Sequence, residues 1–194
     1  MKNTLKITAL VLALAGSTLV AKAQTNPTST KTTATGIRYS IGVDAGIPTG
    51  KLSDSYNWNL GGSIQAEAPI AKQLFVTLNA GYNNIFGKDI TVGATTVKAT
   101  NIQLLPVKAG LKYFAVDNFY VQGEAGAAFV LNKTKIGADN SAAFIYAPQI
   151  GYQFALGGSS FLDAGVRYEA STKLNSNVND SKVNFVALRV AYGF

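Results

Sequence analysis

The chain has 194 residues, no His and no Cys, 47% hydrophobic residues, only 14% charged residues and a formal net charge of +7. The length suits one domain with or without a tail. Without imidazole there is no Ser-His-Asp triad and no His-ligated metal. Without thiol there is no disulfide, thiolate nucleophile, Fe–S cluster or lipidated N-terminal Cys. The chain is too apolar to be disordered and falls short of the roughly 25% charge of soluble domains, which points away from soluble enzymes and toward β-rich or membrane proteins.

Residues 1–23 read as a signal peptide. Lys2 and Lys6 form a positive start, an apolar run covers Ile7 to Val20, and Ala21-Lys22-Ala23 is a small-x-small cleavage site before Gln24. The run falls short of the roughly 18 apolar residues that a transmembrane helix needs. Its removal takes away Lys2, Lys6 and Lys22 and lowers the net charge from +7 to +4. Residues 24–36 (QTNPTSTKTTATG) hold almost no hydrophobe and read as a flexible Thr-rich tail.

From Ile37 onward the helical i, i+3, i+4, i+7 pattern is missing, and alternation with period two recurs eight times. The runs are Ile37–Ile47, Trp58–Ala68, Leu74–Tyr82, Leu105–Tyr113, Phe119–Leu131, Phe144–Phe154, Leu162–Ala170 and Val186–Phe194. One face of each run carries no charge. The other holds five cations (Arg38, Lys108, Lys112, Arg167, Arg189) and five anions (Asp44, Glu67, Glu124, Asp163, Glu169). A soluble barrel or sandwich would turn the charged face to water. Here that face is crowded with Gly and Ala, and the apolar face widens into aromatics at the strand ends, which suits a barrel with lipid outside and polar contents inside.

The connections alternate in length. Pro48–Asn57, Asn83–Thr100, Asn132–Ala143 and Ser171–Ser181 are long; Pro69–Gln73, Phe114–Asn118 and Ala155–Ser160 are short. Long extracellular loops, short periplasmic turns and an even strand number are the habit of outer-membrane barrels, and strands of about ten residues match a tilted crossing of the hydrocarbon. The aromatics fall into two belts: Tyr39, Tyr113, Phe119, Tyr152, Tyr192 and Phe194 at the periplasmic ends, and Trp58, Tyr82, Phe129, Phe144 and Tyr168 toward the loops. Pro106 and Pro148 fall inside predicted strands, so a bulge or a missing ladder bond is expected at each. Ile102 and Leu104 make the start of the fourth strand apolar on both faces.

The final Val-Ala-Tyr-Gly-Phe, with Tyr192 and Phe194 on the outward face, resembles the C-terminal signature by which the barrel-assembly machinery recognises bacterial outer-membrane barrels. The stretch Leu104 to Phe114 (LLPVKAGLKYF) is similar to the fourth strand of the outer membrane protein beta-barrel domain family, and residues 36–194 look like an eight-stranded barrel of the OmpA-transmembrane/OmpX-like type. The expected fold is therefore all-β: an eight-stranded antiparallel up-and-down transmembrane barrel over residues 37–194, located in the bacterial outer membrane. As the resemblance implies, barrel enzymes acting on lipids or peptides usually employ a His, which this chain lacks.

So narrow a lumen is filled by side chains, and ten ionisable groups at membrane depth must pair. Arg38, Glu67, Lys112, Asp163 and Arg189 are expected in a lower layer, with Lys108, Glu124, Arg167 and Glu169 above. The first reading is an ion-paired structural plug. A second, which the resemblance allows, is a gate that switches partners to open a narrow water path. The excess positive charge lies in the loops: Lys51, Lys88, Lys98, Lys133, Lys135, Lys173 and Lys182 against Asp54, Asp89, Asp139 and Asp180. Rim lysines suit lipopolysaccharide phosphates among the outer-membrane lipids. No basic cluster or motif points to nucleic acid, no cofactor or metal is expected, and the protein is read as a monomer. The functional alternatives are a non-enzymatic barrel serving envelope integrity or surface contact, a narrow or gated pore, and a soluble calyx-type carrier with its faces reversed. N-terminal sequencing of the exported protein is expected to begin at Gln24; a start at Met1 contradicts the signal peptide.

Overall fold

The computed structural model of the chain describes residues 36–92, 95–175, 178 and 181–194. The expected signal peptide, its cleavage residues Ala21 and Ala23, and the Thr-rich segment up to Thr35 lie outside the described residues. Among the described residues the strands are β1 (Arg38–Pro48), β2 (Tyr56–Ala71), β3 (Leu74–Gly87), β4 (Asp89–Val92), β5 (Thr95–Lys98), β6 (Ile102–Val116), β7 (Phe119–Val130), β8 (Ala142–Gly157), β9 (Ser160–Lys173) and β10 (Lys182–Gly193). All but β4 and β5 form one closed antiparallel barrel in the order β1-β10-β9-β8-β7-β6-β3-β2.

The period-two pattern maps onto the wall. Ile41, Leu78, Leu111, Ile150 and Leu188 are exposed on the outside, while the residues between them turn inward and are buried. In the first and last strands this places Ser40, Gly42 and Asp44 opposite Gly193, Ala191 and Arg189 across the seam that closes the barrel. The seam extends to Phe194, whose N–H donates to the Tyr39 carbonyl over 2.9 Å and whose carbonyl accepts from the Tyr39 N–H over 3.2 Å.

The strands exceed the expected ten residues, reaching 16 in β2 and β8. The short connections shrink to residues 72–73, 117–118 and 158–159. One of these turns uses Gly157 and Gly158 at φ 100° and 60°, a backbone that glycine adopts without steric cost. The connection expected over Asn83–Thr100 is largely ordered strand: β3 runs on to Gly87, and β4 and β5 pair as a separate hairpin, Asp89 opposite Lys98. The helical turns Leu52–Ser55 and Lys133–Ile136 stand in two of the other long connections.

Neither proline makes a bulge. The β3–β6 ladder omits the positions opposite Leu105 and Pro106, and the β8–β9 ladder those opposite Ala147 and Pro148, with the register unchanged on either side. On their other flanks Pro106 pairs with Ala128 and Pro148 with Gly123. Each ring therefore leaves a gap on the one side where its missing N–H would have donated. The register shifts lie at strand ends instead, as between Pro69 and Ala71 and between Lys182 and Asn184.

Packing inside the barrel is tight enough that glycine is required where an aromatic crosses a strand. A Cβ at Gly151 would fall on the phenol of Tyr120. Gly123 faces outward and its Cβ would meet nothing within 4 Å. Gly151→Val is expected to destabilise the barrel by about 1–3 kcal/mol through overpacking, and Gly123→Val by less than about 0.5 kcal/mol. Urea unfolding in micelles, followed through the single Trp58, checks both.

Candidate functional site

The lumen is the candidate site, because the polar chemistry of the chain converges there. Arg38, Asp44, Glu67, Lys108, Lys112, Glu124, Asp163, Arg167, Glu169 and Arg189 all project inward, and nine of them are buried to 6% exposure or less; the side chain of Arg38, at the mouth, is 13% exposed. They come from β1, β2, β6, β7, β9 and β10, and the alternation that sends the neighbouring residues into the hydrocarbon sends these inside.

Two ionic clusters form, each electrically neutral. In the first, Arg38 Nη2 meets Glu67 Oε2 at 2.5 Å, Lys112 bridges Glu67 and Asp163 (3.2 Å to Asp163), and Tyr120 donates to Asp163 over 2.7 Å. Gln65 donates to Glu67 and Gln153 to Asp163, over 2.8 and 2.9 Å. In the second, Lys108 pairs with Glu169 and lies 3.9 Å from Glu124; Arg167 reaches Glu124 at 3.2 Å and Asp44 at 3.7 Å. Arg189 completes it, at 3.1 Å from Asp44 and bonded to Ser63. Arg189 thus belongs to the upper cluster with Asp44, not to the lower one expected from the sequence. Ala191 stands between it and the turn-end Gly193, so it sits too far up β10 to reach Glu67.

Asp163, Arg167 and Glu169 share one face of β9, yet they do not pair along the strand. Asp163 goes to Lys112 and Glu169 to Lys108, both from β6, and Arg167 goes to β7 and β1. An amide layer joins the clusters. Gln149 donates to Tyr120 over 2.5 Å and accepts from Arg167 Nε over 2.8 Å, while Gln65 accepts from Asn79 over 3.1 Å. Beside Asp44, Lys108, Arg167 and Glu169 a cavity of about 10 Å³ remains, room for no more than about one water.

Both ends of the lumen are apolar. At the turn end, Phe75 and Phe114 meet edge to face at 5.5 Å, and Phe114 and Tyr120 at 5.8 Å. The Arg38 guanidinium lies over Phe75 at 4.5 Å and over Phe161 at 4.8 Å, which pairs a cation with ring faces where the charge approaches water. At the loop end, Ile85, Ile102, Leu104, Val130, Ile145, Val183 and Phe185 form a buried cluster to which Leu52 and Leu174 contribute from the connections. Sequence reasoning missed this cap. Its signal was inward parity continuing past the charges, most plainly at Ile102 and Leu104. Tyr120, Gln149 and Ser63 were missed as partners of the network for a different reason: neutral polar residues do not stand out in an alternating pattern.

The outward Tyr192 and Phe194 lie at the turn end of β10 with rings 6.3 Å apart, and Tyr192 Oη is 3.1 Å from Ser160 Oγ.

The family model described as "Outer membrane protein beta-barrel domain" matches residues 7–194. Among solved structures, Neisserial surface protein A is similar at 18% identity and a TM-score of 0.54, covering 81% of this chain and 94% of that one. The Yersinia pestis outer membrane protein Ail, in a phospholipid bilayer nanodisc, is similar at 19% identity and a TM-score of 0.51, covering 81% and 99%. No curated protein matches the sequence.

Lys112→Met leaves two carboxylates facing each other and is expected to cost about 3–5 kcal/mol. Asp163→Asn added to that variant is expected to restore more than Glu67→Gln, because Glu67 keeps Arg38 whereas Asp163 keeps only neutral donors. Urea midpoints of the single and double variants measure the difference.

Proposed function

The chain belongs to the outer membrane protein beta-barrel domain family, and from that premise we propose that it is a non-enzymatic, non-conducting barrel that serves envelope integrity or surface contact through its loops. The observation that carries this reading is the filling of the lumen. Two neutral ionic clusters, an amide layer between them, an aromatic floor and an aliphatic cap occupy the barrel from end to end. Every carboxylate in the interior faces a cation within 4 Å, so none stands ready as an acid or base opposite a substrate-sized space. On this reading the chain is exported by a signal peptide cleaved after Ala23. It is inserted by the barrel-assembly machinery through the Tyr192 and Phe194 signature, and it resides as a monomer with its four long connections outside the cell.

The position of Lys108 favours the pore as a second reading, since its ammonium stands between Glu169 and Glu124 and exchange of partners is geometrically open. Exchange alone does not make a path. Water must also pass the Phe75–Phe114–Tyr120 floor and the cap around Ile85 and Leu104. In planar bilayers the purified protein is expected to give a flat baseline. Stable current steps that disappear in Glu124→Gln or Arg167→Gln would establish the pore instead.

A further inference from the structure

The cavity of about 10 Å³ beside the upper ionic cluster reaches the barrel wall at Pro106. Gly61 of β2, Gly81 of β3 and Pro106 of β6 bound it on the wall side, and Asp44, Asn79 and Lys108 border it from the lumen. Gly61 and Gly81 keep the inward parity of the buried Ser63 and Asn79, but they carry no side chain there, and Pro106 offers only its ring. Three neighbouring strands thus leave a space at one level.

The hydrogen bonds left open around this space make it a site. Ala80 pairs with Val107 and Asn83 with Leu104, so Gly81 and Tyr82 stand opposite Pro106 and Leu105, the positions where the β3–β6 ladder has no pair. Losing those two pairs while keeping Ala80–Val107 is the result of one absent bond, from position 106 to the Gly81 carbonyl, because proline has no N–H to give. The Gly81 carbonyl therefore lacks its ladder donor inside a membrane wall, where an unsatisfied backbone group is costly.

Two side-chain acceptors share that need. Asn79 is buried and its amide nitrogen donates to Gln65 over 3.1 Å, which orients the group, while Oδ1 accepts no hydrogen bond among the described residues. Asp44 Oδ1 lies 3.7 Å from Arg167 Nη1 and likewise accepts none. Against these stands a donor. The Lys108 ammonium has three protons; one is given to Glu169, and Glu124 lies 3.9 Å away.

The occupant must therefore donate to more than one oxygen, accept from an ammonium, and fit the volume of about one water. A metal cation would satisfy the oxygens but not the ammonium. It would also add charge to a cluster in which Lys108, Arg167 and Arg189 already balance Asp44, Glu124 and Glu169.

We propose that this cavity binds one ordered water that replaces the N–H absent at Pro106. It donates to the Gly81 carbonyl and to Asn79 Oδ1 or Asp44 Oδ1, and it accepts from Lys108. Solvent instead of backbone completes the wall at that point, and the upper ionic cluster is hydrated although both ends of the lumen are apolar.

Solid-state NMR of the full mature chain in lipid bilayers tests this. Labelling glycine carbonyls with ¹³C and tyrosine amides with ¹⁵N selects Gly81 and Gly151, the two glycines followed by tyrosine. Gly151 is paired on both flanks and serves as the reference. When H₂O is exchanged for D₂O, the Gly81 carbonyl is expected to show its isotope shift in the first spectrum, because its donor is water. The Gly151 shift is expected to follow over hours, at the pace of a protected ladder amide. Pro106→Val supplies an N–H for Gly81 and is expected to bring it to the slow rate of Gly151. A wild-type Gly81 that shifts as slowly as Gly151, or that does not shift at all, would overturn the assignment. So would an immediate shift that persists in a folded Pro106→Val, or a Gly81 resonance that moves when sodium chloride is replaced by rubidium chloride, which would place a cation there. Heat-dependent gel mobility verifies the fold of the variant, and the wild-type comparison of Gly81 with Gly151 within one sample decides the matter without it. Bilayer conductance plays no part in this measurement, so failure of the water site and failure of the sealed-lumen reading are separate results.

Discussion

In hydrocarbon no water satisfies a backbone N–H or C=O, so a strand can cross a membrane only if both its edges are paired. The ladder between β1 and β10 meets that requirement for this chain. With only eight strands the closed wall surrounds a narrow space, and what fills that space follows from closure. The side chains that alternate with the lipid-facing residues have nowhere to go but inward, so the polar half of every strand must form a single core.

Charge is an expensive filling, and its geometry explains its use. A buried ion pair does not in general outweigh a hydrophobic replacement of the same volume. Its effect on alternative registers is larger. A one-residue slip of β9 or β6 would turn Asp163, Arg167, Glu169, Lys108 and Lys112 into lipid, where a cation at the bilayer midplane costs about 2–4 kcal/mol. In the native register Lys112 from β6 joins Glu67 of β2 to Asp163 of β9, and Arg167 of β9 joins β7 to β1. The pairs thus tie strands that are not neighbours in the wall, and the neutrality of each cluster lets either layer form without borrowing charge from the other.

The wall was legible because two environments impose opposite demands at a period of two, and only a strand satisfies both. The same contrast identified all ten lumen charges as one set. It failed at the strand ends. Asn83 to Gly87 (NNIFG) does not alternate, and around Ile102 to Leu104 both faces are apolar; neither stretch has a charge to fix the phase, so they resemble loop although they extend the barrel. The place of Arg189 beside Asp44 in the upper cluster instead of in the lower one depends on the stagger between β1 and β10, a quantity that no single strand carries. The two prolines were legible as interruptions, as a bulge or a missing bond, and the way the ladder resumes beyond each gap shows that neighbouring pairs, not the proline itself, hold the register.

Sealing both ends of the lumen moves the available chemistry outward. The long connections are anchored at their bases: Asn132 donates to the Asn101 carbonyl over 2.6 Å, Asn101 accepts from the Gly87 N–H over 3.0 Å, and Lys88 donates to the Ser53 carbonyl over 2.5 Å. Leu52 and Leu174 reach down from two of these connections into the aliphatic cap. Loops fixed in this way to a rigid rim lose less entropy when a partner binds than free loops would. The cap that closes the loop end of the lumen is therefore also the part that holds the bases of two long connections in place.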